Sequence, residues 1–483
     1  MTPPSKIRWA IFLALAFVAL AIRLPQLGSR PMHTDESINA YITGQLLAGQ
    51  AFHYDPRDRH GPSLFALAEP LAKLQGAKNF SDLTEFQLRL GPVILGSVTV
   101  LLFGAGVEMF GFITCLVAAL LFAIAPLPVY YSRYFIHETL FVAATLGLIL
   151  SGWRTLQKKS FGAAALAGFC AALMLASKET AVIHFFALAV AIMCGWFLKP
   201  REKFPPLKII ATASGVFVAT AVLLFTWFGQ HWSVFADLLR AIPSFAARAG
   251  GEGHEKPFDY YFHLLDPTLI LFIVAAGGIF AAICEVVSGT CKTTLLLAIY
   301  GIVIYLVYSA IPYKTPWLAL NFWLPLALLC GAGVEAFWEQ IKVPSGRWIV
   351  LIGGAFLLSI LSAQTKKFVF DEPADEKNPY AYAHTGEDIL RLPVRLEELA
   401  RQNKIADPRI AVIAADAWPL PWYLRKFSQV GFWQPGQDPG GADYFITSTD
   451  VSDQLAARLK NFRPEFFGVR PNVLIILWLP TTP

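Results

Sequence analysis

The sequence predicts a mainly α, polytopic helical membrane protein with a small C-terminal α/β domain. Three observations carry that prediction. The chain has 483 residues, of which 55% are hydrophobic and only 15% charged, against about 25% charged in soluble domains. Eleven apolar runs, each near the roughly 20 residues a spanning helix needs, centre near residues 18, 100, 121, 146, 168, 189, 219, 277, 302, 327 and 355. Beyond residue 365 the composition shifts to frequent charge. A net charge of +5 with no basic run interleaved with aromatics speaks against nucleic acid as a partner.

The first run, KIRWAIFLALAFVALAIRLPQL, begins like a signal peptide but is too long for an h-region and precedes no small-x-small site. It reads as a retained helix. The connectors then alternate. PSKIR, RTLQKKS (154–160), KPREKFPPLK (199–208), SGTCKTT (288–294) and EQIKVPSGR (339–347) are basic or mixed, which places them in the cytoplasm. The opposite side receives 28–88, YYSRYFIHETL (130–140), SKET (177–180), 230–266, YKTP (313–316) and the tail. Eight of the nine histidines fall in those outer segments. The expected location is the cell membrane, multi-pass, with a cytoplasmic N-terminus and an extracytoplasmic tail.

Within 28–88 the sequence predicts two amphipathic helices in the interface plane. One runs from Asp35 to Ala48, with Ile38, Tyr41, Ile42 and Leu46 as its apolar side. The other starts at Pro62, ends at Gly76, and contains Pro70. The domain division expected is 1–364 for the transmembrane module and 365–483 for the soluble domain. In the latter, EDILRLPVRLEELARQNK reads as an amphipathic helix, and RIAVIAAD, ADYFITST and NVLIILWLP as strands.

Several clusters have residue types suited to chemistry. Asp35 and Glu36 in RPMHTDESINAY either complement a helix start capped by Thr34 or supply a base for a hydroxyl nucleophile. Adjacent residues point roughly 100° apart on a helix, so at most one faces a given atom. YYSRYFIHETL supplies Arg133, His137 and Glu138, the first two sharing a face if the segment is helical. Its tyrosines also suit an interfacial anchor. Lys178 and Lys314 are either snorkelling side chains or point charges for a phosphate. In HYDPRDRHGP, His53, Asp55, Asp58 and His60 suit either a solvated loop or a divalent cation, for which Asp35 is a further candidate ligand. GGEGHEKPFDYYFHLLDP, with His254 and Glu255, reads as a surface connector or a substrate loop, to which His60 also belongs. The six cysteines signal neither a disulfide framework nor a zinc site, and no Walker loop, GxGxxG or GxSxG occurs.

The segments HTDES, YDPRDRHGPSLF, YYSRYFIHETL, ASKET, YKTPWL with LPLALLCGAG, and DAWPLPWYLR, in this order on this hydropathy frame, resemble the GT-C superfamily of polytopic glycosyltransferases. That set includes protein O-mannosyltransferases and ArnT-type enzymes, and the finer likeness is to the Agl23-like, flippase-activity-associated group. The resemblance implies a polyprenyl-phosphate-linked sugar as donor and a glycan, lipid or protein acceptor. It implies inverting transfer at the outer face with Asp35 as base and Glu36 in support. Arg133, Lys178 and Lys314 would neutralise the leaving phosphate. Many relatives carry an aspartate where this chain has His137-Glu138, and metal use varies among these enzymes. A flippase-associated component and a non-catalytic scaffold for lipid-linked glycan assembly are the competing readings. The first of these fits less well, because the ionisable residues gather at one surface rather than at the midplane of the spans.

Overall fold

The computed structural model describes residues 3–55, 60–198, 205–251, 253–265, 269–287, 293–451, 455 and 459–481. Asp58, Cys291 and the connector residues 199–204 and 288–292 lie outside them. Each of the eleven apolar runs is helical: Ser5–Arg23, Glu85–Phe110, Phe112–Ile124, Glu138–Lys158, Phe161–Leu175, Ala181–Leu198, Leu207–Phe225, Ile270–Val287, Thr293–Ala310, Ala319–Gln340 and Pro344–Thr365. Among the described residues, eight have the length and composition to cross a membrane. The apolar helices at 112–124, 161–175 and 270–284 are shorter. The first of them has 13 residues, so it rises about 20 Å, against a hydrocarbon core of about 30 Å.

The chain divides into two compact units. The first comprises Met1–Pro25, Ala51–Ala68 and Arg89–Asp371. At its centre Ala319–Gln340 is buried along most of its length. Its neighbours approach closely because glycine removes the side chain at the contact. A Cβ on Gly331 would come within 2.2 Å of the Thr114 carbonyl oxygen and one on Gly333 within 2.1 Å of that of Val274; between Phe161–Leu175 and Leu207–Phe225, one on Gly168 would come within 2.1 Å of that of Ala213. Small residues serve helix contacts in membranes in this way. Gly111, at φ +98°, separates Glu85–Phe110 from Phe112–Ile124. As a glycine it offers no capping side chain, and Glu335 does so from another helix. Its carboxylate accepts from the Thr114 amide at 3.0 Å and from the Thr114 hydroxyl at 2.5 Å, satisfying a donor that the helix start leaves open.

The second unit comprises Gln26–Gln50, Glu69–Leu88 and Glu372–Pro483. Two pieces of the first long loop therefore belong to the same compact unit as the tail. The helix Thr34–Leu47 buries a mixed face: Glu36, Ser37, Asn39, Ala40, Ile42, Thr43, Gly44 and Leu46. Tyr41, expected on the apolar side, is exposed, and Ile38 is only half-buried. The reason is packing against protein: a Cβ on Gly44 would meet the Phe80 Cα at 2.8 Å. The second loop helix, Ser63–Leu74, continues through Pro70.

The tail holds a five-stranded sheet of β1 (Ile410–Ile413), β2 (Val430–Trp433), β3 (Tyr444–Ser448), β4 (Phe462–Arg470) and β5 (Val473–Pro480), in the order β2-β1-β3-β5-β4. β1 is parallel to β2 and β3, and β5 is antiparallel to β3 and β4. The helix Arg391–Gln402 precedes it, as its spacing predicts. Ala411, Ile413, Phe445, Val451 and Leu459 form one core cluster of this sheet.

Replacing Gly331 by Ala drives a methyl group into backbone that has no rotamer with which to yield. It is expected to cost about 1–3 kcal/mol, read as a lower melting temperature of the full chain in detergent. Gly353→Ala, in a helix with open space at the site, leaves the melting temperature unchanged or raises it.

Candidate functional site

The start of Thr34–Leu47 separates the two adjacent acids. His33, not Thr34, is the N-cap: the chain is extended at His33, and its Nδ1 accepts from the Asp35 amide at 3.1 Å. Glu36 closes a capping box by accepting from the His33 amide at 3.2 Å. Its two oxygens also lie 3.4 Å from Arg30 Nη2. Glu36 is 0% exposed, and this double engagement compensates its burial. Asp35 points elsewhere. Its side chain is 43% exposed, and among the described residues its carboxylate makes no hydrogen bond. Its Oδ1 lies 3.9 Å from His33 Nδ1, but that nitrogen is already an acceptor, so the ring is neutral and the contact is not an ion pair. His33 Nε2 accordingly donates to the Tyr382 carbonyl at 3.1 Å. Burial holds His33 below the usual histidine range. It holds the neighbouring His384, ring centroid 5.6 Å away, well below that range.

Around this start the tail contributes further groups. The Met32 amide donates to the Tyr423 hydroxyl at 2.8 Å. Trp422 donates from Nε1 to Glu85 at 2.9 Å. Both aromatic residues are buried, so they pack within this unit.

A second cluster lies in the first unit, where three stretches far apart in sequence converge. Lys178 donates to Glu138 at 2.5 Å, and both side chains are buried. His60 Nδ1 donates to Glu179 at 3.0 Å, and the Tyr54 hydroxyl reaches the other oxygen of Glu179 at 3.0 Å. His137 Nε2 donates to the Gly61 carbonyl at 3.2 Å, with its ring 5.4 Å from that of His60. Burial acts to raise the Glu179 carboxyl, but His60 and Tyr54 outweigh it and leave it below the usual range. Burial, with the neighbouring His60 and Lys178 adding to it, keeps His137 well below its own.

Arg133 and His137 do not share a helical face, because the helix Pro126–Tyr131 stops before them and the next begins at Glu138. The Arg133 guanidinium instead donates to the Arg23 and Pro25 carbonyls at 2.6 Å each and covers the Phe370 ring. Lys314 differs from Lys178, whose partner is a carboxylate. It is buried, its Nζ donates to the Ile311 and Lys256 carbonyls at 2.6 and 3.1 Å, and among the described residues no carboxylate pairs with it. Burial lowers its pKa. His254 and Glu255 are tied to this turn: Lys314 donates its amide to the His254 carbonyl, and Glu255 bridges Tyr313. His53 contacts the His231 ring. Among the described residues no group of three or more His, Cys, Asp or Glu is arranged to hold a metal ion, so Asp35, His53, Asp55 and His60 form no such set.

The profile of the family described as dolichyl-phosphate-mannose-protein mannosyltransferase matches residues 63–227, about a third of the chain. No curated protein sequence matches it significantly. Among solved structures the chain resembles ArnT from Cupriavidus metallidurans bound to undecaprenyl phosphate, at 14% identity and a TM-score of 0.66, over 96% of this chain and 97% of that one. It also resembles the archaeal oligosaccharyltransferase AglB from Archaeoglobus fulgidus in complex with an inhibitory peptide and a dolichol-phosphate. There the identity is 12% and the TM-score 0.57, over 98% of this chain and 76% of that one. The fold is GT-C-like.

Two outcomes follow from the geometry. His33 has a folded pKa below its unfolded value, so the unfolded chain takes up the proton first. Its contribution to stability is present above the unfolded value of about 6.5 and is lost as pH falls through the region below it. The melting temperature should drop on acidification from pH 7 to 5, and less steeply in His33→Asn, which keeps a capping acceptor but does not titrate. Lys178→Met leaves Glu138 buried and unpaired, costing about 3–5 kcal/mol. The double variant Glu138→Gln/Lys178→Met recovers part of that in the same melting measurement.

Proposed function

We propose that this chain is a membrane glycosyltransferase moving a sugar from a polyprenyl-phosphate-linked donor to an acceptor hydroxyl, with Asp35 as general base. The observation that carries the proposal is the division of labour between adjacent acids. Glu36 is buried and engaged, whereas Asp35 is part-exposed on a capped helix start, and among the described residues its carboxylate makes no hydrogen bond. The fold supports it, as do the lipid phosphates named for the two structural relatives and the donor named in the family description. On its motifs the chain stands nearest the Agl23-like group. Its transfer is that of a hexosyltransferase acting at the outer face, with the N-terminus in the cytoplasm and the tail outside.

The step is a direct displacement. Asp35 takes the proton of the acceptor hydroxyl as its oxygen bonds to the anomeric carbon from the side opposite the phosphate. The bond from that carbon to the phosphate oxygen breaks, polyprenyl phosphate departs with the electron pair, and the anomeric configuration inverts. Charge grows on the phosphate, where a fixed cation contributes most. By the resemblance Lys314 is the candidate for that role; its Nζ is held by neutral carbonyls, and among the described residues no carboxylate pairs with it. Lys178 is paired with Glu138, and Arg133 donates to backbone carbonyls. Glu36 positions Asp35 by holding the helix start.

The test uses the purified full chain in nanodiscs with a radiolabelled polyprenyl-phosphate hexose and a membrane glycolipid extract as acceptor. Asp35→Asn should lower transfer by about 10²–10⁴-fold with an unchanged melting temperature, whereas Glu36→Gln should lower the melting temperature. Lys314→Met should weaken donor binding about tenfold or more. Transfer within threefold of wild type in a folded Asp35→Asn sample would sink the mechanism.

A further inference from the structure

One set of tail residues beside Asp35 is not accounted for by packing. Arg470, at the end of β4, donates from Nη1 to the Thr34 hydroxyl at 3.5 Å and from Nη2 to Asp416 at 3.3 Å. Asp416 is held at its other oxygen, which accepts from the Trp418 amide at 3.0 Å. Trp418 lies edge-on to Tyr41, ring centroids 5.9 Å apart, one face of the helix carrying both Thr34 and Tyr41. The four side chains thus form a continuous, mutually fixed row that starts one residue from Asp35. They stay open to solvent: Asp416 is 54% exposed, Arg470 27% and Tyr41 39%, with Trp418 half-buried. Their neighbours Trp422 and Tyr423 are buried, so the exposure belongs to this row.

We infer that Asp416, Trp418 and Arg470, with Tyr41, form a subsite for a saccharide acceptor, presenting its hydroxyl to Asp35. The acceptor role rests on the glycosyltransferase reading; the binding of a sugar does not. A pyranose offers a face of C–H groups and a rim of hydroxyls. Aromatic rings with a fixed position receive the first at low entropic cost. An arginine–carboxylate pair, already oriented, donates to and accepts from the second. The pair's outer lone pairs and N–H groups remain for neighbouring hydroxyls, because each recorded bond uses only part of their capacity.

The experiment is saturation-transfer NMR of the full chain in nanodiscs, with methyl α-mannopyranoside and methyl α-glucopyranoside as probes and an acetylated serine–threonine peptide as the competing class. Ring protons of at least one glycoside should receive saturation in wild type and lose at least fivefold in Trp418→Ala and Asp416→Asn. Trp418→Phe, which keeps an aromatic face, should restore most of it and guards against a misfolded alanine variant. Asp35→Asn should bind the glycoside as wild type does. No glycoside signal in wild type overturns the inference, as does a signal unchanged in both Trp418→Ala and Asp416→Asn, or peptide binding through Trp418 instead. Transfer is measured on the same samples. Transfer intact in Asp35→Asn with the glycoside signal lost in Trp418→Ala and Asp416→Asn marks a failed mechanism and a standing subsite, whereas transfer lost in Asp35→Asn with the signal unchanged in those two variants marks the reverse.

Discussion

A carboxylate taken out of water must find a cation or a set of donors, and the polar architecture of this chain follows from that requirement. Glu36 has Arg30 and a backbone amide, Glu138 has Lys178, Glu179 has His60 and Tyr54, and Glu335 has the start of a neighbouring helix. Glu138, Glu179 and Glu335 tie together segments that hydropathy alone leaves independent. Glu138 and Lys178 join two turns between apolar helices, and Glu335 closes the gap at Gly111. Among the described residues Asp35 differs from these acids: its part-exposed carboxylate accepts no hydrogen bond.

The sequence made most of the helical frame legible because apolar runs of spanning length have few other uses. Two properties limited it. Helix length was one: Phe112–Ile124 and Phe161–Leu175 were predicted as spans like the rest and are shorter than the other apolar helices. In the sheet, β1, β3 and β5 were visible as near-continuous apolar runs because they lie inside it, with neighbours on both sides. β2 and β4 are the edges. β4 carries Arg463, Pro464 and Glu465 among its apolar residues, a composition that suits an edge and hides a strand.

The site was legible in its residue types and not in its pairings. HTDES advertises a helix start with two acids, and the 100° offset between neighbours already requires them to diverge. Which one turns inward depends on Arg30 and on the histidine cap, and His33 escaped notice because histidine is an uncommon N-cap. SKET and IHETL were each readable as polar segments between apolar runs, but nothing local to either says that Lys178 is paired with Glu138. Arg470 lies 436 residues from Thr34, beyond any periodicity argument. Its partners become visible only when the sheet is assembled.

The placement of Asp35 in the second compact unit has a consequence for the tail. The backbone that presents this aspartate is fixed by groups from beyond residue 371: the Tyr382 carbonyl holds the His33 ring, the Tyr423 hydroxyl holds the Met32 amide, and Arg470 reaches Thr34. His33 in turn holds the Asp35 amide. Three consecutive residues before Asp35 are therefore each restrained from the tail. In the base role proposed for Asp35, the carboxylate must lie within hydrogen-bond reach of its proton, and a displacement of about an ångström is enough to cost two orders of magnitude. The C-terminal domain is thus part of what keeps the carboxylate in position, whatever else it binds, and the small sheet is the scaffold from which the loop's chemistry is set.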